Sequence, residues 1–444
     1  MEAGKMTDLE TAKQIAQLVE AQGGRAYFVG GCVRDKLLGC PCKDIDIEIH
    51  GIPGEKLREL LGEVGTVLEH GRSFGVYGLS GRGLDISLPR DDNGCEAPNI
   101  GTFEAARRRD LTLNSIMENV LTGQLTDHFG GREDIERKLL RRVDDDTFAS
   151  DPLRAFRTAQ LAARYGFSVE EETLDLCRKI DVSQLAGERV MGEISKALLR
   201  SERPSVFFEE LRKMEQLSCW MPELEALIGV PQNRYYHQEG DVWVHTMMVV
   251  DEAAKRRDTA HFPLGLMMSA LCHDFGKAVA TTEENGVVHS YGHETEGLPL
   301  VRSFLARLTS DKRLKRYVLN MTQLHMDPNK LAKSRSKLKR TNRMFDLSVE
   351  PFDLIQLSIC DGLGKLPQND SSEQFLMERY EKFCRIMERP FVSGKDLIEA
   401  GISPGEEMAQ ILEYAHKLRL AGLEKENVLR QSLAYARSVL KMKI

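Results

Sequence analysis

YFVGGCVRDKLLGCPCKDIDIEI, residues 27–49, combines a short apolar strand, a Gly-Gly turn, a short helical stretch and a run of alternating acidic and apolar residues. Gly30 and Gly31 lie between the strand and the helix, where glycine lets backbone N–H groups approach a phosphate at the positive end of the helix dipole. Alternate residues of a strand share a face, so Asp44 and Asp46 project to one side of the next strand. The stretch therefore predicts a phosphate-binding turn followed by two carboxylates on one strand face.

Two neighbouring carboxylates repel each other unless a cation lies between them, and hard oxygen ligands favour Mg²⁺. A phosphate-binding turn followed by paired carboxylates is what two-metal phosphoryl transfer requires. An Asp-x-Asp pair alone is more often the polar face of an ordinary edge strand. The Gly-Gly turn directly upstream favours phosphoryl transfer as the role of Asp44 and Asp46.

The pattern Gly-Gly-x-Val-Arg-Asp-x-Leu-Leu-Gly followed by Asp-x-Asp resembles the signature of the class II nucleotidyltransferases. This class comprises the CCA-adding tRNA nucleotidyltransferases and the bacterial poly(A) polymerases. The resemblance implies an α+β fold, with a small mixed-sheet nucleotidyltransferase head followed by all-α domains. It also implies that Asp44 and Asp46 are catalytic ligands of Mg²⁺, and that Gly31 and Arg34 help to hold the nucleotide.

The composition is that of an ordinary globular protein of 444 residues, of which 41% are hydrophobic and 29% are charged. The formal net charge of −7 excludes a generally basic nucleic-acid binder, so RNA contacts are expected only from local basic patches. Nine cysteines without a regular framework suggest reduced thiols in a cytoplasmic enzyme. Residues 1–24 predict an amphipathic helix, and no apolar run there is long enough for a signal peptide or a membrane span.

A second alternating stretch, GLDISL at residues 83–88, predicts another strand. If this strand lies beside residues 44–49, Asp85 joins the acidic face. A single polar residue on a half-exposed strand is an equally good interpretation of the sequence alone. Members of the class carry a third acid on such a neighbouring strand, and the resemblance therefore implies that Asp85 is a third catalytic carboxylate.

Residues 107–116, RRRDLTLNSI, begin with three arginines. Guanidinium groups make bidentate contacts with phosphate oxygens, which suits a triphosphate, although a solvated helix face is the usual role of such a charge run. The stretch resembles the second motif of the class, Arg-Arg-Asp-x-Thr-x-Asn. The resemblance implies that Arg109 contacts the nucleotide and that Asp110 and Asn114 hold its sugar or the loop beneath it.

From residue 151 the pattern becomes helical, with Asp151 as a cap and proline at the first helical position. Asp151, Arg154 and Arg157 share one face, where an acceptor and two donors could recognise the Watson–Crick edge of a base. An N-cap with an intrahelical ion pair is the commoner use of this spacing. The stretch resembles the base-recognition motif of the class, Glu-Asp-x-x-Arg, except that Ser150 replaces the usual Glu and Gln160 replaces a frequent Arg.

Residues 241–361 carry a second set of possible metal ligands, in the order His, His-Asp, His, His and Asp. A lone histidine on a helix is more often a satisfied core residue, but this order resembles that of the HD phosphohydrolase superfamily. Imidazole and carboxylate ligands together suit Ni²⁺, Mn²⁺, Fe²⁺ or Zn²⁺ more than Mg²⁺. The resemblance implies a divalent transition metal held by His245, His273, Asp274 and Asp361, with His293 and His325 as extra ligands for a second metal.

These motifs predict four domains: a nucleotidyltransferase head at 1–149, a helical neck at 150–235, an HD phosphohydrolase domain at 236–371 and a helical RNA-binding tail at 372–444. Alarmone synthetase–hydrolases also join HD and nucleotidyltransferase domains, but in the opposite order. Residues 333–343, KSRSKLKRTNR, hold six basic residues and no acid, which is typical of either an RNA-backbone contact or a flexible solvated loop. The sequence does not determine the oligomeric state.

The resemblance to HD-bearing tRNA nucleotidyltransferases covers nearly the whole chain. It implies an enzyme that adds CCA to the 3′ ends of tRNA from CTP and ATP, with an appended HD site for phosphoester hydrolysis. Two alternatives stay open. One is a poly(A) polymerase or an enzyme that adds only C or only A. The other is a metal phosphohydrolase whose head merely binds RNA.

Overall fold

The structure, a computed structural model, describes residues 7–41, 44–70, 75–91, 93–368 and 371–440. The first six residues of the predicted N-terminal helix therefore lie outside the described part of the chain, and the helix itself runs from Asp8 to Ala21. No disulfide joins the cysteines within these ranges.

A mixed sheet organises the first part of the chain. Its strands are β1 (Arg25–Phe28), β2 (Ile45–His50), β3 (Val67–His70), β4 (Val76–Leu79), β5 (Leu84–Ser87), β6 (Met117–Asn119) and β7 (Leu125–Thr126). They are ordered β3-β4-β5-β2-β1-β6-β7, with β2 and β5 parallel and the other neighbours antiparallel. The α+β class predicted from the sequence is confirmed.

Helices flank this sheet and continue beyond it. They are α1 (Asp8–Ala21), α2 (Gly31–Leu37), α3 (Gly54–Val64), α4 (Thr102–Arg107), α5 (Gly131–Glu136), α6 (Asp145–Ala149), α7 (Leu153–Tyr165), α8 (Glu171–Lys179), α9 (Gly187–Arg200) and α10 (Ser205–Lys213). Ile47, Ile49 and Ile86 are fully buried in one core cluster with apolar residues of α1 and α3. Because a strand alternates, burying this face turns the acidic residues of β2 and β5 to the opposite face.

The rest of the chain is mainly helical. Its helices are α11 (Leu217–Trp220), α12 (Pro222–Glu225), α13 (Val242–Arg256), α14 (Pro263–Cys272), α15 (Lys277–Ala280), α16 (His293–Glu296), α17 (Leu298–Leu308), α18 (Lys312–Leu324), α19 (Met326–Lys333), α20 (Leu338–Leu347), α21 (Pro351–Leu363), α22 (Glu373–Glu388), α23 (Gly394–Glu399), α24 (Glu406–Leu420) and α25 (Lys425–Ser438). Helix α14 packs against α13, α18 and α21, and each of these four helices carries or abuts a predicted metal ligand.

Four short strands lie outside the main sheet, and the last three of them interrupt the predicted run of helices after residue 151. A parallel pair joins β8 (Leu139–Leu140) to β9 (Ser168–Val169), and a hairpin joins β10 (Thr282–Glu284) to β11 (Val287–His289). The hairpin turns at Asn285 and Gly286, which both have positive φ angles. An Asn-Gly pair favours this turn, so the sequence contained the signal that the helical prediction overlooked.

The chain divides into two compact units. One comprises residues 1–193 and 206–216, and the other comprises residues 194–205 and 217–444. The four domain boundaries proposed from the motifs stay predictions. In the described part of the chain, no helix is both long and apolar enough to cross a membrane.

Candidate active sites

The predicted acidic face is assembled on two neighbouring strands of the sheet. Asp46 on β2 pairs in register with Asp85 on β5, and Asp44 directly precedes β2. The expectation that these two strands are neighbours is confirmed, whereas the metal-binding role of their carboxylates stays a prediction. Asp46 is partly buried, while Asp44 and Asp85 are exposed and accessible to a ligand.

The electrostatics of this face are those of a crowded set of acids. Burial raises the pKa of Asp46, and the neighbouring charges of Asp85 and Asp44 raise it further, against the opposing effects of Arg109 and Arg157. The negative charge on Asp46 is therefore unfavourable without a further cation. A divalent ion is the natural partner for such a set of oxygen donors.

The Gly-Gly turn lies directly against this face. Gly30 has φ +66°, a conformation that favours glycine, and a Cβ atom added to it would lie 3.6 Å from Asp46 Oδ2 and 3.7 Å from Arg109 Nη1. Arg109 in turn donates from Nη2 to Glu48 Oε2 at 2.6 Å. The turn, one catalytic candidate and the predicted nucleotide-binding arginine therefore converge.

A cleft of about 570 Å³ opens beside this turn. Gly30, Glu48, Asp110, Asn114 and Asp151 lie in its wall together with six arginines, which are Arg90, Arg108, Arg109, Arg154, Arg157 and Arg189. Such an excess of guanidinium groups suits a polyanion such as a triphosphate. Asp44, Asp46 and Asp85 are not part of this wall, but Asp46 lies against Gly30, which is part of it.

A buried polar network holds the floor of the cleft. Arg34 donates to Asn114 Oδ1 at 2.7 Å, Asn114 donates to Asp110 Oδ1 at 2.8 Å, and Arg157 forms an ion pair with Asp110 Oδ2 at 2.7 Å. Burial raises the pKa of Asp110, but Arg157 and Asn114 outweigh it and hold this pKa below its usual value. Arg34 is buried, its guanidinium is bonded to Asp35 and Asn114, and it is not part of the cleft wall; its role in nucleotide binding stays a prediction.

All three base-recognition candidates have protein partners in this structure, and that of Arg157 is Asp110. Arg154 donates to the carbonyl oxygens of Thr147 and Arg108, at 2.7 Å in both cases. Asp151 accepts from Arg189 Nη2 at 3.1 and 3.2 Å and remains partly exposed. Asp151 and Arg154 both lie in the wall of the cleft, whereas their role in base recognition stays a prediction.

Sequence reasoning missed two residues of this site. Glu48 is the next residue on the same strand face after Asp46, so the alternation Asp-x-Asp-x-Glu was the available signal. Arg189 lies on α9, outside the motifs found in the sequence. Its contact with Asp151 joins residues 38 positions apart, which periodicity does not reveal.

The second unit brings all six predicted metal ligands together. Three groups of atoms each lie within 4.8 Å of one another, and two of them divide the predicted ligands into His245, His273 and Asp361, and Asp274, His293 and His325. The Nε2 atoms of His245 and His273 are 3.4 Å apart, and those of His293 and His325 are 3.2 Å apart. Paired nitrogens that point at each other across such a distance are suited to share an ion.

The four histidines have one hydrogen-bonding pattern in common. Each Nδ1 atom faces a backbone carbonyl oxygen, which can only accept. The carbonyls belong to Gly364, Ala270, Ser290 and Thr322, at 3.1, 2.8, 2.7 and 2.6 Å from His245, His273, His293 and His325 respectively. Each Nδ1 therefore carries a proton, and in the neutral ring the Nε2 lone pair is directed toward the cluster.

Asp274 joins the two groups. Its Oδ2 lies 3.2 Å from His273 Nε2 and 3.5 Å from His245 Nε2, whereas its Oδ1 lies 3.2 Å from His293 Nε2. Burial raises the pKa of Asp274, but His273 and Lys277 outweigh it and hold the pKa well below its usual value. Lys277 Nζ is 2.7 Å from Oδ2, so this lysine forms an ion pair with the buried Asp274 carboxylate.

A carboxylate that the sequence analysis missed supports His245. Glu239 is almost fully buried, with Oε1 2.7 Å from His237 Nδ1 and 3.2 Å from His245 Nδ1. A cleft of about 930 Å³ opens on Asp361. Its wall includes the aromatic rings of Tyr235, Tyr236 and Phe375 and the cations Lys330, Lys333, Arg335 and Lys365.

The fold and the acidic face define the first part of the chain as a head of the poly(A) polymerase type. The family model of the Poly A polymerase head domain matches residues 26–141, which span the Gly-Gly turn, the acidic strands and the arginine motif. Solved structures agree in fold over nearly the whole chain.

The CCA-adding enzyme of Bacillus stearothermophilus in complex with CTP has a TM-score of 0.69 at 20% identity, covering 98% of this chain and 100% of that one. The Thermotoga maritima CCA-adding enzyme complexed with tRNA has a TM-score of 0.65 at 19% identity, covering 96% and 94%. At such identities the likeness shows the fold alone.

Closer relatives fix the family. The multifunctional CCA protein of Actinobacillus pleuropneumoniae is 31% identical over 423 residues, which cover 90% of this chain and 99% of that protein. The multifunctional CCA protein of Pseudomonas fluorescens is 37% identical over 345 residues, covering 74% and 81%. The chain belongs to the family of CCA-adding proteins.

Proposed function

We propose that this protein adds CCA to the 3′ ends of tRNA from CTP and ATP, without a nucleic-acid template. The observation that carries the proposal is the convergence of the Gly30 turn, Asp46, Asp85 and Arg109 at the edge of an arginine-rich cleft. The names of the full-length relatives support CCA addition over the poly(A) and single-nucleotide alternatives.

Asp44, Asp46 and Asp85 would hold Mg²⁺, and the raised pKa of Asp46 supports their fit to a cation. When bound, Mg²⁺ supplies positive charge that stabilises phosphoryl transfer and favours ionisation of the attacking hydroxyl. The arginines of the cleft bind the triphosphate and orient it. The RNA 3′-oxygen forms a bond to the α-phosphorus, the bond from this phosphorus to the β-phosphate bridging oxygen breaks, and pyrophosphate leaves.

Choice of the incoming base falls to the end of the cleft where Asp151 and Arg154 lie. A carboxylate accepts from an exocyclic amino group and a guanidinium donates to ring nitrogen or carbonyl acceptors, so the two groups can complement a Watson–Crick edge. Arg157 supports them through its ion pair with Asp110. Ser150, in place of the usual Glu, donates its hydroxyl to the Thr147 carbonyl and takes no part in the cleft wall.

The test of the catalytic carboxylates is Asp44→Ala against Glu63→Ala, an exposed acid on α3. Addition to a tRNA transcript should fall by about a thousandfold or more in Asp44→Ala, because an oxygen ligand of the catalytic cation is lost. Glu63→Ala should behave as the unaltered protein. Normal addition by Asp44→Ala would refute the metal assignment.

We propose for the second unit a dinuclear site for a divalent transition metal that hydrolyses phosphoesters. One ion would be held by His245, His273 and Asp361, and the other by His293 and His325. Asp274 would contribute to both. The shared tautomer of the histidines and the position of Asp274 between the groups support this assignment. When bound, such ions supply Lewis-acid activation of water and of the phosphoryl oxygen. The cations of the adjacent cleft fit an anionic substrate.

His273→Ala tests this site, with His289→Ala on β11 as the matched control. His273→Ala should lose bound Mn²⁺ or Ni²⁺, measured by elemental analysis, and should lose hydrolysis of bis(p-nitrophenyl) phosphate. Nucleotide addition should persist. Retained metal and retained hydrolysis would contradict the assignment, and loss of addition together with hydrolysis in a folded variant would contradict two independent sites.

A further inference from the structure

Glu48 is a buried carboxylate in the wall of the nucleotide cleft, and it has no role in the proposed reaction as described above. Its side chain is 8% exposed, and both of its oxygens are occupied. Oε2 accepts from Arg109 Nη2 at 2.6 Å, and Oε1 lies 3.0 Å from His50 Nε2. His50 Nδ1 in turn lies 3.2 Å from the carbonyl oxygen of Ile100.

We propose that Glu48, supported by His50, is a positioning residue that fixes Arg109 for binding the triphosphate. The proposal rests on the proposed nucleotide addition and deepens it. A guanidinium has five N–H donors, and Glu48 engages Nη2, whereas Nη1 faces the Gly30 turn and Asp46. Anchoring one edge of the Arg109 guanidinium restricts the rotamers of this side chain before the nucleotide binds, so less entropy is lost on binding.

The geometry distinguishes this role from that of another metal ligand. Asp44 and Asp46 precede Glu48 on the same strand face, so the alternation alone would allow a third carboxylate ligand on β2. Both Glu48 oxygens are engaged by protein donors, and the carboxylate is enclosed by Arg109 and His50. Glu48 therefore acts on the nucleotide through Arg109.

His50 is the second support of the same carboxylate. Its Nε2 lies against the Glu48 carboxylate and its Nδ1 against the Ile100 carbonyl, so the ring is held at both ends. The ring also meets Tyr27 edge to face, with centroids 5.3 Å apart. His50 therefore fixes the Glu48 carboxylate through the oxygen that Arg109 does not contact, and the two partners together hold the carboxylate in one orientation.

The test compares Glu48→Gln with Glu118→Gln in the full-length chain. Glu118 is a matched control because its side chain is also 8% exposed and pairs with Lys36 at 2.6 Å, but it lies on β6 and not in the wall of the nucleotide cleft. The amide nitrogen that replaces one oxygen of Glu48 cannot accept from Arg109 or His50. Circular dichroism verifies that each variant is folded.

We expect Glu48→Gln to raise the Kd and the KM for CTP and ATP roughly tenfold, the effect of losing one charge-assisted hydrogen bond. The KM for tRNA should change less than about twofold, because the proposal has Glu48 act on the nucleotide through Arg109. In an Arg109→Ala background, Glu48→Gln should have no further effect. A structural role alone would lower stability without this split between nucleotide and tRNA.

Unchanged nucleotide affinity in folded Glu48→Gln would overturn the proposal, as would an equal further loss in the Arg109→Ala background. If Glu48→Gln does not fold, His50→Gln carries the test, with a KM for nucleotide raised about threefold as the expected result and no change as the refuting one. If Arg109→Ala itself leaves nucleotide affinity intact, the nucleotide site of the proposed function is wrong. This outcome differs from a failure of Glu48 alone.

Discussion

At the scale of single residues, the charge of Asp46 that is proposed to bind a cation also destabilises the folded protein when no cation is bound. Because Asp46 has a raised pKa in the folded protein, the folded state binds more protons than the unfolded state above the usual Asp pKa. Its contribution to stability therefore falls as the pH rises toward the raised pKa, and the penalty persists at neutral pH. Cation binding would remove this penalty.

The upward shift in the pKa of Asp46 predicts how Asp46→Asn changes stability. In EDTA at neutral pH, the variant should be more stable than the unaltered protein by on the order of 1 kcal/mol, although it should no longer add nucleotides. Thermal unfolding, followed by circular dichroism, measures the change. Mg²⁺ should raise the Tm of the unaltered protein and leave that of Asp46→Asn unchanged. A variant less stable than the unaltered protein in EDTA would contradict this electrostatic account.

The histidines of the second unit predict a pH-dependent metal affinity. Burial lowers the pKa of His245 and of His293, but Asp361 and Asp274 outweigh it, so both pKa values lie above the usual one. Burial and the charge of His273 lower the pKa of His325 to about 3. Below the raised pKa values of His245 and His293, a metal ion must therefore displace a proton from each of these two residues. It displaces none from His325.

Metal titrations across this range test the prediction. As the pH decreases, the Kd for Mn²⁺ should rise roughly tenfold per pH unit for each displaced proton, with up to two protons displaced. The control is the same titration of His273→Ala, which should show little binding at any pH. A Kd that is constant from about pH 7 to about pH 5 would contradict the protonation pattern.

At the scale of elements, the first turn of α7 combines recognition with support. Arg154 connects this turn to two carbonyl groups in the preceding segments, and burial lowers its pKa. Hydrogen bonds to a charged group stabilise more than neutral ones. A change at Arg154 should therefore affect both the free energy of unfolding and the choice of nucleotide.

Arg154→Ala should lower the free energy of unfolding by about 2–3 kcal/mol and should reduce discrimination between CTP and ATP. Urea denaturation and single-nucleotide addition assays measure the two effects. The matched control is Arg137→Ala at an exposed ion pair with Glu133, where the loss should stay below about 0.5 kcal/mol. Unchanged stability would refute the supporting role, and unchanged selectivity would mean that the base is recognised elsewhere.

The sequence predicted those parts of the fold and sites that depend on local periodicity. Alternation gave the acidic strand and made the position of Asp85 predictable once its strand was taken to neighbour β2. It did not reveal that Glu239 reaches His245, or that Glu48 reaches Arg109 across 61 positions of the chain. The contact between Glu48 and Arg109 arises from tertiary packing, so no local pattern specifies it. The Asn285-Gly286 hairpin is different, because its local turn signal was present and was overlooked.

At the scale of the whole molecule, two sets of ligands with different chemistry occupy different compact units. Oxygen donors and arginines characterise the first unit, and imidazoles around a carboxylate characterise the second. Hard and borderline metal ions prefer these sets respectively. We therefore expect the two proposed activities to respond to different metals and to different single substitutions.

The central claim is CCA addition, and the most direct measurement uses tRNA transcripts that lack the last three, two or one nucleotides. Each transcript is incubated with CTP alone, ATP alone or both, and the products are resolved on a sequencing gel beside those of Asp44→Ala. The account predicts two additions of C followed by a single A, then arrest, and no addition by Asp44→Ala. A long ladder of A residues, or arrest after one type of nucleotide, would contradict it.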